Sequence, residues 1–224
     1  MSYIVAENLV KKYGNGNATV TAIGGISFKI EAGEFIGVMG ESGAGKSTLL
    51  SVVGAMNAPT SGSLRVDEID VYSLSREQRA DFRREFLGFI FQSFHLVPYL
   101  TVLENVMLPL AIIKAGKHKK RDLAEQALSQ VGLLGKAHRL PNQISGGEKE
   151  RVAIARSIVN EPPVLLADEP TGNLDSKTSS EIMNLLQSLN EQGMTIIMVT
   201  HSHESAKYAQ RILQVSDGVL VGKN

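Results

Sequence analysis

The sequence contains no cysteine. Disulfides, thiol nucleophiles and cysteine-based metal sites are therefore excluded, and a reducing compartment is allowed. It also lacks an excess of either charge, with 23 Lys+Arg against 23 Asp+Glu. That balance argues against a general nucleic-acid binder, so no nucleic-acid partner is expected. No segment approaches the roughly eighteen uninterrupted apolar residues of a membrane span. The nearest, 100-LTVLENVMLPLAII-113, is broken by Glu104, Asn105 and Pro109. The segment 1-MSYIVAENLVKKYG-14 has no apolar core of signal-peptide length. A soluble, cytoplasmic chain is expected, reaching a membrane only through a partner. Repeats and low-complexity linkers are missing too. What remains is an ordinary globular composition of 224 residues, 43% hydrophobic and 21% charged, enough for one large domain or a domain with an insert.

Residues 3-YIVAENLVKKY-13 and 22-AIGGISFKI-30 read as two strands around the polar loop 14-GNGNAT-19. The run 35-FIGVM-39 reads as a buried strand, and Lys46 to Val53 as a helix. A Pro/Gly turn near 59-PTSGSLRVDEIDV-71 leads into another strand. From about Ser93 to Val159 the pattern is mainly helical, and in 121-RDLAEQALSQVGL-133 Leu123, Ala124, Ala127, Leu128 and Val131 share one face. Strands return at 164-VLLA-167 and 195-TIIMVT-200, separated by an amphipathic helix from Ser176 to Asn190 that Gly193 would stop. The segment 211-RILQVSDGVLV-221 reads as a hairpin turning at Asp217-Gly218. Strand–helix alternation around a helical insert predicts an α/β core with a helical subdomain.

The stretch 40-GESGAGKST-48 follows the buried strand and opens the first helix. Gly40, Gly45, Lys46 and Ser47 fit G-x-x-x-x-G-K-[ST], a pattern that arises by chance in roughly one chain of this length in a hundred. Small residues let backbone N–H groups close around phosphate oxygens, and the helix adds its positive N-terminus. Lys46 would reach the β- and γ-phosphates, Ser47 would hold Mg²⁺, and Thr48 would donate to the α-phosphate. Such a loop needs a carboxylate for its metal. The run 164-VLLADE-169 offers Asp168 for Mg²⁺ and Glu169 to accept a proton from the attacking water or at least to polarise it.

At 144-ISGGEKER-151 a Ser-Gly-Gly opens another helical pattern, 148-EKERVAIARSIV-159, a second anion-binding helix start. With these three motifs in this order, essentially the whole chain resembles the ATP-binding cassette (ABC) family. The resemblance implies a P-loop NTPase core of RecA-like α/β fold, with an antiparallel β subdomain and a helical insert. The whole chain, 1–224, forms a single ATP-binding domain, with 1–88 and 162–224 as the catalytic lobe and 89–161 as the mainly helical signature subdomain. It implies an ATPase in which two subunits meet head to tail. Each ATP then lies between the P-loop of one chain (Gly40, Glu41, Ser42, Gly43, Ala44, Gly45, Lys46, Ser47 and Thr48) and the partner's Ser145, the partner's Gly146 and the partner's Gly147, with the partner's Glu148 and the partner's Asp175 beside them. Gln92, in 90-IFQSF-94, matches the family's glutamine that touches Mg²⁺ and water and senses the transport partner. His201, in 199-VTHSH-203, matches the histidine that contacts the γ-phosphate. Asp175, in 172-GNLD-175, matches the loop that crosses the dimer interface, and Tyr13 the aromatic that stacks on adenine. A lone chain carries two half-sites, so hydrolysis implies a homodimer or a dimer with a paralogue.

Three positions depart from the family pattern, the first a minor apolar swap, Ile144 where leucine is usual. Glu148 stands where glutamine is usual, and Ser202 where aspartate often follows the histidine. Glu148 has two readings. It can complete a capping box with Ser145, or its charge can oppose ATP-driven closure. The apolar residues Phe91, Phe94, Leu96, Val97, Tyr99 and Leu100 either line a groove for a separate membrane permease or pack within the helical subdomain. The cluster 114-KAGKHKKR-121 is either a solvated loop or a contact for anionic lipid or an acidic partner segment. The loop 14–19, the run 91-FQSFHLVPYLTVLENV-106 and 168-DEPTGNLD-175 look most like the ATPases of lipoprotein release, macrolide or peptide efflux and the cell-division complex. The expected function is a transport ATPase, peripheral on the inner face of the cell membrane through its permease. A soluble ABC ATPase of DNA repair or translation is the alternative, though no second cassette or coiled-coil insertion is visible. A P-loop kinase or other small NTPase fits less well, since neither would need the Ser-Gly-Gly turn or the Asp-Glu pair.

Overall fold

The computed structural model describes residues 2–14 and 18–222. The loop expected at 14–19 thus lies in part, at 15–17, outside the described residues. Among the described residues, ten strands make two sheets. β1 (Ile4–Tyr13), β2 (Val20–Ile30), β4 (Ser61–Val66) and β5 (Ile69–Asp70) form an antiparallel sheet in the order β2-β1-β4-β5. β3 (Phe35–Met39), β6 (Leu87–Ile90), β7 (Val164–Asp168), β8 (Thr195–Thr200), β9 (Arg211–Ser216) and β10 (Val219–Val221) form the second, in the order β10-β9-β3-β8-β7-β6. Its five inner pairings include four parallel ones, and only β9–β10 is antiparallel.

The parallel strands explain their own composition. All five residues of β3 and all six of β8 are buried, as strands covered on both faces must be. Because strand side chains alternate, one run of apolar residues supplies two cores. Val164 and Leu166 of β7 enter a core with Ile36, Val38, Val199 and the antiparallel sheet. Their neighbours Leu165 and Ala167 enter the other, with Phe35, Ile196 and Met198. α1 (Lys46–Val53) packs Leu49 and Leu50 into the first core. α3 (Val102–Met107), α4 (Lys117–Gln130), α5 (Gly146–Ile158) and α6 (Ser176–Glu191) fill the second.

Two elements were not legible as such in the sequence. α2 (Arg76–Phe86) buries only Phe82 and carries a run of charges, so it has little apolar period. Its one readable signal is the capping box of Ser75 and Gln78. β6 follows it directly and pairs in parallel with β7, so the sheet runs two residues past the expected lobe boundary at 88. The 93–100 segment, expected as mainly helical, is irregular, and helix begins only at Val102. Gly88 permits the join between lobes: a Cβ there would lie 2.4 Å from the Ser157 carbonyl oxygen of α5. Gly193, at φ 101, ends the turn after α6, as expected. Among the described residues, no helix is long and apolar enough to cross a membrane.

Glu150 of α5 is 1% exposed, and its Oε1 has no hydrogen-bond partner. Burial, only partly opposed by the nearby Arg156 charge, pushes its carboxyl up to about 8. A folded pKa raised above the unfolded value means the native state holds the proton longer. Stability from this group is therefore greatest below the unfolded value near 4.5 and falls as pH rises towards about 8. Glu150→Gln should match the wild type in thermal unfolding at pH 4.5 and exceed it at pH 8. Equal melting temperatures at pH 8 would refute this.

Candidate functional site

The P-loop is shaped by backbone crowding. β3 ends at Met39, and a Cβ on Gly40 would sit 2.1 Å from the Val215 carbonyl oxygen of β9. Gly45 is left-handed, at φ 96, and a Cβ there would sit 2.2 Å from the Ala22 carbonyl oxygen of β2. Only glycine fits either place. The tip of the final hairpin holds the loop from the other side. The Gly218 N–H donates to the Ala44 carbonyl at 3.0 Å, and the Gly24 N–H donates to the Gly218 carbonyl at 2.7 Å. Asp217 and Gly218 both have positive φ, 47 and 77, as the two central residues of a tight hairpin turn require. α1 starts at Gly45 with no side-chain cap, so its first amides are left for a ligand.

The two acidic side chains come from the carboxyl end of β7 and the residue after it. Asp168 ends β7, and Ser47 Oγ donates to its Oδ1 at 3.3 Å. Burial raises the Asp168 carboxyl, against the lowering effect of that hydrogen bond. A desolvated carboxylate beside a hydroxyl, with the Gln92 amide facing the same space, is a hard all-oxygen donor set that suits Mg²⁺. Among the described residues no cluster of three or more His, Cys, Asp or Glu could form a protein-only cage. Glu169 turns the chain with φ 50. Its N–H donates to the Val199 carbonyl at 2.9 Å. Its Oε1 lies 2.8 Å from His201 Nδ1, and Thr200 Oγ1 donates to its Oε2 at 3.4 Å. Asn173 Nδ2 donates to the Gln92 carbonyl at 2.9 Å, tying the segment after β6 to the loop after Glu169. Lys46 folds back onto its own loop, donating to the carbonyls of Gly40 and Glu41 at 2.7 and 2.8 Å.

These groups meet. Ser42, Gly43, Gly45, Lys46, Ser47, Thr48, Gln92, Asp168, Glu169 and His201 line one cavity of about 660 Å³ at the carboxyl edge of the parallel strands, where open α/β sheets place their ligands. Tyr13 is not among them. It sits at the end of β1, 42% exposed, with Lys11 Nζ 5.2 Å from its ring centre. The other predicted residues form a separate surface. Ser145 caps α5, accepting from the Glu148 N–H at 3.3 Å, and Glu148 Oε2 accepts the Ser145 N–H at 2.9 Å. The capping-box reading of Glu148 therefore holds. Lys136 pairs with its other oxygen, and the pair holds the Glu148 carboxyl below the usual carboxylate range. Asp175 caps α6 through Thr178, whose N–H donates at 3.0 Å and whose hydroxyl donates at 2.6 Å. A Cβ on Gly147 would lie 2.3 Å from Thr178 Cγ2, so the second signature glycine exists to seat α5 on α6. Ser145 and Gly146 stay exposed. Ser202, the departure after the histidine, caps α7 (His203–Ala206) by accepting from the Ser205 N–H at 3.2 Å.

A separate groove of about 480 Å³ is lined by Arg83, Arg84, Phe89, Phe91, His95, Pro109, Ile112 and Arg156, among others. Of the six apolar residues expected there, only Phe91 lines it. Leu96 packs on the second core, and Tyr99 stands 80% exposed. The sequence reading missed Lys136, Thr200 and Arg156, because each acts across a distance in the chain that no local spacing encodes.

The sequence profile described as "ABC transporter" matches residues 23–172. An uncharacterized ABC transporter ATP-binding protein of Methanocaldococcus jannaschii is 48% identical over 218 residues, covering 97% of both chains. The macrolide export ATP-binding/permease protein of Bdellovibrio bacteriovorus is 45% identical over 94% of this chain, which spans only 32% of that protein's length. Among solved structures, the dimeric post-hydrolysis state of the ATP-binding cassette MJ0796 bound to ADP and Pi superposes with a TM-score of 0.90 at 40% identity, covering 99% of this chain and 97% of that one. A phosphate-binding glycine loop facing an Asp-Glu strand end, in a fold shared along its whole length with such a cassette, leaves one conclusion: the chain belongs to the ABC transporter family, as an ATP-binding and ATP-hydrolysing cassette.

Proposed function

We propose that two copies of this chain close head to tail on two ATP molecules and that their opening and closing drives a membrane permease. The observation that carries this reading is a division of labour. Lys46, Gln92, Asp168, Glu169 and His201 share one cavity, while Ser145 and Gly146 lie exposed on another surface of the same chain. The site is complete only when a second copy brings the partner's Ser145, the partner's Gly146 and the partner's Gly147 to the phosphates. The solved dimer of a 40% identical cassette supports this arrangement.

In the proposed complex, the amides of Gly43 to Thr48 and the Lys46 ammonium hold the phosphates, and Tyr13 stacks on the adenine. Ser47, Asp168 and Gln92 would hold Mg²⁺, which would supply charge neutralisation at the phosphates. Glu169 accepts a hydrogen bond from the attacking water and polarises it. His201 positions the Glu169 carboxylate, since its Nδ1 lies 2.8 Å from Oε1, and its exposed ring faces the γ-phosphate. The partner's Asp175 crosses the interface beside the P-loop. The groove bearing Phe89, Phe91 and His95 receives a cytoplasmic segment of the permease. That contact places the cassette on the inner face of the membrane. The similarity to macrolide export proteins supports an export or mechanical role.

Two variants test this reading. Glu169→Gln should bind ATP, hydrolyse it at least about a hundredfold more slowly, and accumulate as a dimer in light scattering. Wild-type turnover in that variant would remove Glu169 from the catalytic role. Glu148→Gln should change ATP-driven dimerisation by no more than about twofold, because glutamine keeps the cap and Lys136 already offsets the charge. A markedly tighter dimer would show instead that the carboxylate opposes closure.

A further inference from the structure

The nucleotide cavity and the separate groove share one short piece of chain. Phe91 and His95 line the groove, with ring centres 5.1 Å apart. Gln92, between them, lines the nucleotide cavity. The backbone that connects them is strained: Phe94 and His95 are consecutive non-glycine residues at φ 56 and 47, a conformation that side chains with a Cβ disfavour. Something must hold it, and the carbonyls of these two residues show what. Arg156 Nη2 donates to the Phe94 carbonyl and Nη1 to the His95 carbonyl, each at 2.6 Å. The planar fork of one guanidinium spans two successive carbonyls, a geometry that lysine cannot copy.

Arg156 lies in the last turn of α5, the helix whose first turn carries Gly146 and Gly147. The same rigid element therefore presents the signature at one end and grips the Gln92 segment at the other. Burial depresses the Arg156 guanidinium from its ordinary value, in keeping with a charge withdrawn from water and bonded inward. Neither α5 nor the 91–95 segment supplies a second fork to these carbonyls.

We propose that Arg156 is a positioning residue for Gln92. By clamping the left-handed Phe94-His95 turn to the end of the signature helix, it sets where Gln92 stands relative to the cation, and it ties that position to any segment that fills the groove. The proposal rests on the reading of Gln92 as a Mg²⁺ ligand, and the test separates the two.

Arg156→Gln, Arg156→Lys and the reference Gln92→Ala are compared with the wild type, full-length and nucleotide-free, by hydrogen exchange of peptides spanning 91–97. The Mg²⁺ dependence of ATPase activity and ATP affinity in EDTA are measured alongside. Arg156→Gln should speed exchange in 91–97 by about tenfold or more. It should also raise the half-saturating Mg²⁺ concentration about tenfold, as Gln92→Ala does, with ATP affinity in EDTA unchanged. Arg156→Lys, able to reach one carbonyl at a time, should fall between, and it carries the test if the glutamine variant does not fold. Adding His95→Gly to Arg156→Gln should recover part of the Mg²⁺ affinity, because glycine removes strain that the clamp otherwise holds. A raised Mg²⁺ requirement in Gln92→Ala with none in the Arg156 variants would overturn the clamp and leave the Gln92 reading standing. An unchanged requirement in Gln92→Ala would overturn the Gln92 reading and the clamp's purpose with it.

Discussion

Two backbone carbonyls, those of Ala22 and Val215, press so closely on the P-loop that Gly45 and Gly40 have no room for a β-carbon. The loop's curvature follows from that crowding. With no side chain at Gly40, Gly43 or Gly45, the chain between β3 and α1 can wrap tightly, and its amides turn towards the space that phosphate oxygens fill. The position of Lys46, the open start of α1 and the approach of Ser47 to Asp168 all descend from it. What presses is not local. One carbonyl belongs to the antiparallel sheet and the other to β9, so both sheets must be in register before the loop takes its shape.

The parallel sheet is the second constraint. Its strands divide their side chains between two cores, so it cannot slide without exchanging one core for the other. That fixed register carries Asp168, Glu169 and His201 to one edge. Glu169 leaves the strand by a left-handed turn, which costs backbone strain and places its carboxylate on His201. On the other lobe, α5 is capped by Ser145, seated on α6 through Gly147, and tied at its far end to the turn after Gln92.

Much of this was legible in the chain because the signals are short-range. The apolar run 35–39 and the glycine loop after it needed nothing beyond their own spacing, and neither did the Ser145–Glu148 box. The Asp217-Gly218 turn was readable because few residue pairs tolerate two positive φ values. The hidden parts are those whose cause lies elsewhere in the chain. α2 fully buries one side chain, Phe82, and so lacked a period to read. Leu96 and Phe91 are close in sequence and alike in chemistry, yet one enters a core and the other a groove. The partner of Glu148 is twelve residues away, and those of Arg156 are sixty-one and sixty-two away.

The buttress of the P-loop has a consequence for what a bound ligand can stabilise. Ala22 is made early and the β9–β10 hairpin about two hundred residues later, yet the loop is gripped between them. The cradle's shape is thus a long-range property, complete only when both ends of this stretch of chain are docked. A ligand held by that cradle would add its binding energy to the contacts that join the two sheets.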